Sequence, residues 1–253
     1  MKPRTMTLTP LPGVPLIREG NDLGGIILSS LDEAGIRLID GDVVAVTSKI
    51  VSKAEGRRVN LADVAHSQEA TRLAEETEKD PRLVELILRE SKRVLRSRPG
   101  LIIVEHKLGF VCANAGIDHS NVEGEDWVLL LPEDPDASAQ RLREKLEAAS
   151  GARLGVLIID SHGRAWRMGT VGATIGLAGL PGLVDLRGEA DLFGYELRVT
   201  EVGAADELAG AASLVMGQSA EGSPVVHMRG FPYELREAGL EELLRPEERD
   251  LFR

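Results

Sequence analysis

Blocks of apolar residues alternate with polar punctuation along this chain, and their spacing predicts short strands interleaved with amphipathic helices. Residues 5–11 read as a strand, followed by a loop, Pro12 to Ile17, stiffened by two prolines. Leu23, Ile26, Ile27, Leu31 and Ala34 recur at helical spacing, which predicts a helix from Asp22 to about Arg37 capped by Asn21. The run Val43–Val46 reads as a buried strand that delivers Thr47, Ser48 and Lys49 to its end. His66–Arg98 is heavily charged at helical periodicity and predicts two covering helices, the second started by Pro81. Leu101–Val104 and Gly109–Ala113 predict a hairpin turned at Glu105–Leu108. Further strands are expected at Trp127–Leu131, Arg153–Ile159, Glu196–Thr200 and Val225–Met228, with helices at Ala137–Ala149 and Ala204–Val215. The glycine-rich stretch Gly169–Gly188 reads as partly irregular, and Glu234–Arg253 as a short amphipathic helix with a charged end.

Composition narrows the classes. With 253 residues the chain can bury a sizeable core, and with 3% aromatics that core must be aliphatic. A net charge of −11 opposes nucleic acid as the main partner, because a phosphate backbone is held by clustered Lys and Arg. It leaves room for a small phosphorylated ligand, since a few cations or a divalent metal reverse the potential inside one cleft. The single cysteine, Cys112, lies in an apolar stretch and reads as a buried inert thiol. A reducing, cytoplasmic setting fits. Neither a signal-peptide core nor a membrane-spanning run is present in the sequence.

Four stretches carry candidate chemistry. Val156–Ile159 empties into Asp160-Ser161-His162-Gly163, then Arg164 and Arg167 flank Trp166. A carboxylate and a hydroxyl are hard oxygen ligands, and arginines clamp carboxylate or phosphate; an ordinary strand-to-loop turn has the same composition. Ser48-Lys49 and Ser52-Lys53 repeat a hydroxyl beside a lysine, suited to a polyphosphate or simply to solvent. Asn114–Asn121 holds Asp118, a potential metal ligand, and Asn121, a potential nucleotide contact, within a loop rich in turn formers. Met216–Gly222 follows a helix and precedes a strand, as a nucleotide loop or a glycine C-cap would. There is no P-loop, no dinucleotide fingerprint and no zinc-type spacing in the sequence.

These pieces, in order, resemble the coenzyme F420:L-glutamate ligase family, the γ-glutamyl ligases of deazaflavin coenzyme biosynthesis. The resemblance rests on Gly13–Ile17, Asp40–Arg57 with its SKIVSKAEGR run, Asn114–Val122, Asp160–Arg167, Met216–Gly222 and the closing Arg245–Phe252. It covers nearly the whole chain and implies a single ligase domain over 1–253 without the nitroreductase-like extension of some bacterial members. The implied fold is α+β outside the P-loop classes, with mixed, largely antiparallel sheets, flanking helices and an intertwined homodimer. The implied reaction is GTP-dependent addition of L-glutamate to F420-0, extendable through γ-linkages, with Mn2+ or Mg2+; a K+ requirement is left open. Carried over by position, GTP contacts fall on Val14, Pro15, Leu16, Ile17, Ser48, Lys49, Lys53 and Asn121. The loop Met216, Gly217, Gln218, Ser219, Ala220, Glu221 and Gly222 wraps the nucleotide. Metal ligands fall on Asp118, Asp160, Ser161 and Gln218. Arg164 and Arg167, from charge and placement alone, are assigned to the acceptor's anionic groups. Two residues depart from the family's commoner pattern: Ser161 replaces threonine, and His162 replaces an apolar residue. A GTP-binding regulatory protein without turnover, and a ligase for another carboxylate acceptor, are the competing readings.

Overall fold

Two parallel strands, Val43–Thr47 and Gly155–Gly163, form the spine. The computed structural model describes residues 5–251, so Phe252 of the closing segment lies outside the described residues. The elements in chain order begin with β1 (Thr7–Pro10), α1 (Leu23–Glu33), β2 (Val43–Thr47), α2 (Ser48–Ala54) and β3 (Arg58–Asn60). There follow α3 (Gln68–Thr77), α4 (Pro81–Arg89), β4 (Ser91–Arg98), β5 (Leu101–His106), β6 (Val111–Ala113) and β7 (Trp127–Leu129). The chain then returns through α5 (Pro135–Ser150), β8 (Gly155–Gly163), β9 (Thr170–Ala178), β10 (Val184–Asp185), β11 (Glu201–Val202), α6 (Ala204–Met216) and β12 (Val225–Arg229).

The main sheet has five strands in the order β1-β12-β2-β8-β9. All neighbours run antiparallel except β2 and β8, which pair in parallel from Val43–Gly155 to Thr47–Ile159. Both faces are covered, which is why β2 reads as an unbroken apolar run instead of an alternation. Val44, Val46, Val156 and Ile158 face α1 and α5, through Ile27, Leu31, Leu142 and Leu146. Val43, Ala45, Leu157 and Ile159 face α6, through Leu208, Ala209 and Ala212. A second group, from β3 to β7, is inserted between α2 and α5. There α3 and α4 cover the β4-β5-β6 sheet, burying Ala70, Val84, Ile87, Ile102, Val104 and Cys112. Phe110 packs against both faces of the main sheet's core and against this group.

The predicted α+β class with largely antiparallel sheets and flanking helices is what the structure has. Several local expectations are corrected. Asp22, not Asn21, caps α1, its carboxylate accepting from Gly25 N at 3.2 Å; Asn21 accepts from Arg18 N instead. The second of the two predicted helices stops at Arg89 and does not run to Arg98; 91–98 is β4, paired to β5. Ser48–Ala54, which follows β2 without a break, is a helix. The glycine-rich region contains the nine-residue strand β9. Its Gly172 is needed because a Cβ there would lie 2.3 Å from Ala209 O of α6. No strand forms at 196–200; a bridge from Ala190 to Glu196 and the two-stranded β10-β11 ribbon stand there. The tail holds 3-10 turns at Leu240–Leu243 and Glu247–Arg249 in place of an amphipathic helix. Among the described residues no helix is long and apolar enough to cross a membrane.

Candidate functional site

Because β2 and β8 are parallel, their carboxyl ends open on the same edge of the sheet. One delivers Thr47, Ser48 and Lys49, the other Asp160, Ser161 and His162. The chain just before α1 and the loop after α6 close over that edge. The result is a cleft of about 400 Å³ lined by Val14, Pro15, Leu16, Ile17, Ser48, Lys49, Lys53 and Asn121. Asp160, Ser161 and the whole of Met216–Gly222 complete the wall. Every position assigned to the nucleotide by resemblance therefore lies on one surface. Thr47, which the sequence places at that strand end, also lines it, as do Gly172 and Ser213, which carry no motif signal. Ser213 sits one helical turn before Met216, so the periodicity of α6 was its only signal.

Consecutive residues of α2 reach the two acids. Ser48 Oγ donates to Asp160 Oδ1 at 2.6 Å, and Lys49 Nζ pairs with Asp118 Oδ2 at 2.8 Å. Asp118 stands behind Lys49, anchored by backbone hydrogen bonds to Leu129 and by Ser120, whose N–H and hydroxyl both donate to it. Burial pushes the Asp118 carboxyl up, but Lys49 and the Ser120 N–H outweigh that and hold it below the ordinary carboxylate range. Burial likewise opposes ionisation of Asp160. Its neighbours His162 and Ser48 reverse the balance, and it too is held low. Both acids are thus anionic at neutral pH.

Side chains alternate along a strand, so Asp160 and His162 project from one face of β8 and Ser161 from the other. The four expected metal ligands fall into two pairs accordingly. Asp118 and Asp160 meet through Lys49 and Ser48, and the charge on Asp118 is felt at Asp160. On the opposite face Ser161 Oγ donates to Gln218 Oε1 at 2.8 Å, and Gln218 Nε2 donates to Ser213 Oγ at 2.8 Å. No cluster of three His, Cys, Asp or Glu side chains able to cage a metal forms among the described residues. Oxygen donors that leave most of a coordination sphere open suit a hard cation that keeps water and accepts phosphate oxygens. They do not suit a closed zinc site.

Lys53 donates to Asn121 O at 2.7 Å and has no carboxylate in ion-pair reach among the described residues. Burial, with the charges of Lys49 and Arg58, lowers its pKa, so an incoming anion would relieve the crowding of positive charge. Across the cleft, Gly217 adopts φ +77° and Gly222 φ +67°. A Cβ at Gly217 would lie 2.2 Å from Glu221 Cδ, because Glu221 folds back to accept from Ser219 N at 2.8 Å. The positive φ is what calls for glycine here, and the amides of Gln218, Ser219 and Glu221 turn toward the Glu221 carboxylate.

Arg164 and Arg167 stand apart from this wall. They lie in the exposed β8–β9 connection beside Trp166, which is 87% exposed, and Arg164 donates to Gly169 O at 3.3 Å. Cys112 is buried, and burial pushes its thiol up to about 12, which fits the reading of an inert side chain.

Comparison with known proteins places the chain in a ligase family. It belongs to the F420-0:Gamma-glutamyl ligase family, whose pattern matches residues 13–230. A relative from Methanothermobacter thermautotrophicus, named coenzyme F420:L-glutamate ligase, is 48% identical over 250 residues, 98% of this chain and 99% of the relative. One of the same name from Methanopyrus kandleri is 45% identical, with 98% of each chain covered. A third, from Archaeoglobus fulgidus, is 43% identical over 96% of this chain and 95% of the relative.

Proposed function

We propose that this chain is a single-domain cytoplasmic ligase that joins L-glutamate to F420-0 at the expense of GTP, with Mn2+ or Mg2+, and works as a homodimer. The observation that carries the chemistry is the double seat at the start of α2, where Ser48 reaches Asp160 and Lys49 reaches Asp118. It sets two anionic carboxylates near Lys53, which has no carboxylate in ion-pair reach among the described residues, beside a cleft of about 400 Å³.

A carboxylate is a poor electrophile until it becomes an acyl phosphate. In the proposed reaction the lactyl carboxylate oxygen of F420-0 bonds to the γ-phosphorus of GTP. The bond from that phosphorus to the bridging oxygen breaks, and GDP leaves. The amine of glutamate then attacks the acyl carbon, loses a proton, and displaces phosphate to leave an amide. Several negative charges converge in the first step, so positioning and neutralisation dominate its barrier. Lys49 and Lys53 supply fixed positive charge, and the loop Met216–Gly222 would close over the nucleotide from the other side of the cleft. Asp118, Asp160, Ser161 and Gln218 would hold divalent cations, which supply charge neutralisation and a template for phosphate and carboxylate oxygens. Arg164 and Arg167, on an exposed hairpin tip, would meet the acceptor from outside the nucleotide cleft.

Mass spectrometry of F420-0 incubated with the protein, GTP, MnCl2 and glutamate tests this. The expected product carries one or more added glutamyl residues, formed with GDP and phosphate. GTP hydrolysis without a glutamylated product would favour another acceptor. GTP binding with neither hydrolysis nor product would favour a regulatory role.

A further inference from the structure

His162 is the part of this site that the assigned ligand set does not use. Its ring is mostly buried, with Nε2 3.2 Å from Asp160 Oδ2. The contact is close but off the line of a hydrogen bond, and Nε2 is a buried nitrogen with no hydrogen-bond partner. The ring leans on Phe110 at a centroid distance of 5.2 Å and 51°, and Phe110 stacks on His106 at 5.2 Å and 9°. The imidazole is therefore held in place by packing. The other oxygen of Asp160 is taken by Ser48, so Oδ2 is the one left facing the imidazole.

A nitrogen and a carboxylate oxygen about 3 Å apart, and not aligned for proton sharing, have the spacing of adjacent ligands on one octahedral cation. Two bonds of roughly 2.1 Å at a right angle put their donor atoms about 3 Å apart. The orphaned Nε2 then has a use. In the tautomer protonated at Nδ1, its lone pair would be free to meet a cation shared with Asp160 Oδ2.

We propose that His162 Nε2 is a direct ligand of the cation held by Asp160, and that this imidazole biases the site toward Mn2+ and later first-row metals over Mg2+. The inference rests on the reading of Asp160 as a cation ligand. The bias follows from donor chemistry: imidazole adds affinity for transition metals, while Mg2+ prefers oxygen and gives up water reluctantly. Phe110 fixes the ring plane and so positions the donor.

The test uses the full chain and the metal alone. Pulsed electron paramagnetic resonance on the Mn2+-loaded wild-type protein should show coupling to one directly bonded imidazole nitrogen. Calorimetric titration should show His162→Leu weakening Mn2+ by about tenfold or more while shifting Mg2+ by less than about threefold. Asp160→Asn is titrated in parallel. Absence of nitrogen coupling in the wild type overturns the ligand assignment without depending on any variant's folding. If Asp160→Asn loses Mn2+ and His162→Leu does not, the cation reading stands and this inference falls. If neither substitution alters Mn2+ affinity, the cation reading itself fails. Equal losses of Mn2+ and Mg2+ in His162→Leu would overturn the selectivity bias.

Discussion

Ser48 Oγ donates to Asp160 Oδ1 across 2.6 Å, although the two residues are 112 positions apart. The contact ties the first residue of α2 to the acid on β8, and Ser48 is almost fully buried. Ser48→Ala leaves one oxygen of Asp160 without its donor. Stability is expected to fall by about 1–3 kcal/mol, the range for an unsatisfied buried acceptor. Mn2+ affinity should fall by about ten- to a hundredfold, as when a group supporting a ligand is removed. Urea denaturation and calorimetry measure the two effects separately. Retained Mn2+ affinity in a folded variant would show that Ser48 does not support the ligand.

Lys53 carries charge in the cleft and, among the described residues, meets a carbonyl and no carboxylate. Lys53→Ala is expected to weaken GTP binding by about ten- to a hundredfold, as loss of a charge-assisted contact does. F420-0 binding should change little. Fluorescence titration with a labelled GTP analogue and with F420-0, whose chromophore reports directly, separates the two. Equal losses for both ligands would show that Lys53 acts on the fold and not on the nucleotide.

Much of the site was legible in the chain because its residues sit where apolar runs stop. Val43–Val46 ends at Thr47-Ser48-Lys49, and Val156–Ile159 ends at Asp160. What could not be read was which ends would meet. The parallel pairing of β2 with β8 is a choice made by the whole sheet, and no local spacing encodes it. β9 escaped for a different reason. Its glycines at 172 and 176 look like punctuation, yet they mark where α6 and Pro135 press against the strand. β4 escaped because Lys92, Arg93 and Arg96 stand three and four apart, the charge spacing of a helix.

Gly172→Ala tests that close approach. The added carbon would stand 2.3 Å from a backbone oxygen of α6, which cannot rotate away. A loss of about 1–3 kcal/mol is expected from overpacking. At this chain length that corresponds to a melting temperature lower by several degrees, checked by differential scanning calorimetry. An unchanged melting temperature would mean that α6 and β9 slide apart freely.

His106 gives a stability term with a defined sign. Burial, with the nearby charge of Lys107, lowers its pKa from 6.5 to about 4, and its Nδ1 accepts from Leu108 N at 3.0 Å. The folded chain therefore binds fewer protons here than the unfolded chain. The full contribution is present above pH 6.5 and is lost as pH falls toward 4. Between pH 7.5 and 4.5 the loss is about 2–3 kcal/mol. Urea denaturation at the two pH values, in wild type and His106→Gln, should show that much smaller a pH dependence in the variant. An identical dependence would exclude His106 as its source.

Cys112 should resist iodoacetamide at pH 8 in the folded state and react on unfolding, since its thiol is buried and pushed up to about 12. Mass spectrometry with and without denaturant reads this directly. Rapid labelling of the native protein would show that the β5–β6 hairpin opens.

The parallel register between β2 and β8 has one more consequence. Inserting or deleting a single residue in β8 upstream of Asp160 would send that acid to the opposite face, where Ser161 now points, and bring the hydroxyl round to Ser48. The sheet could still assemble, since both of its faces are aliphatic, yet the two donor pairs would trade places. Chain length within this strand is thus held by the chemistry at its tip more tightly than by the stability of its middle, whereas the loops between the helices are free to lengthen.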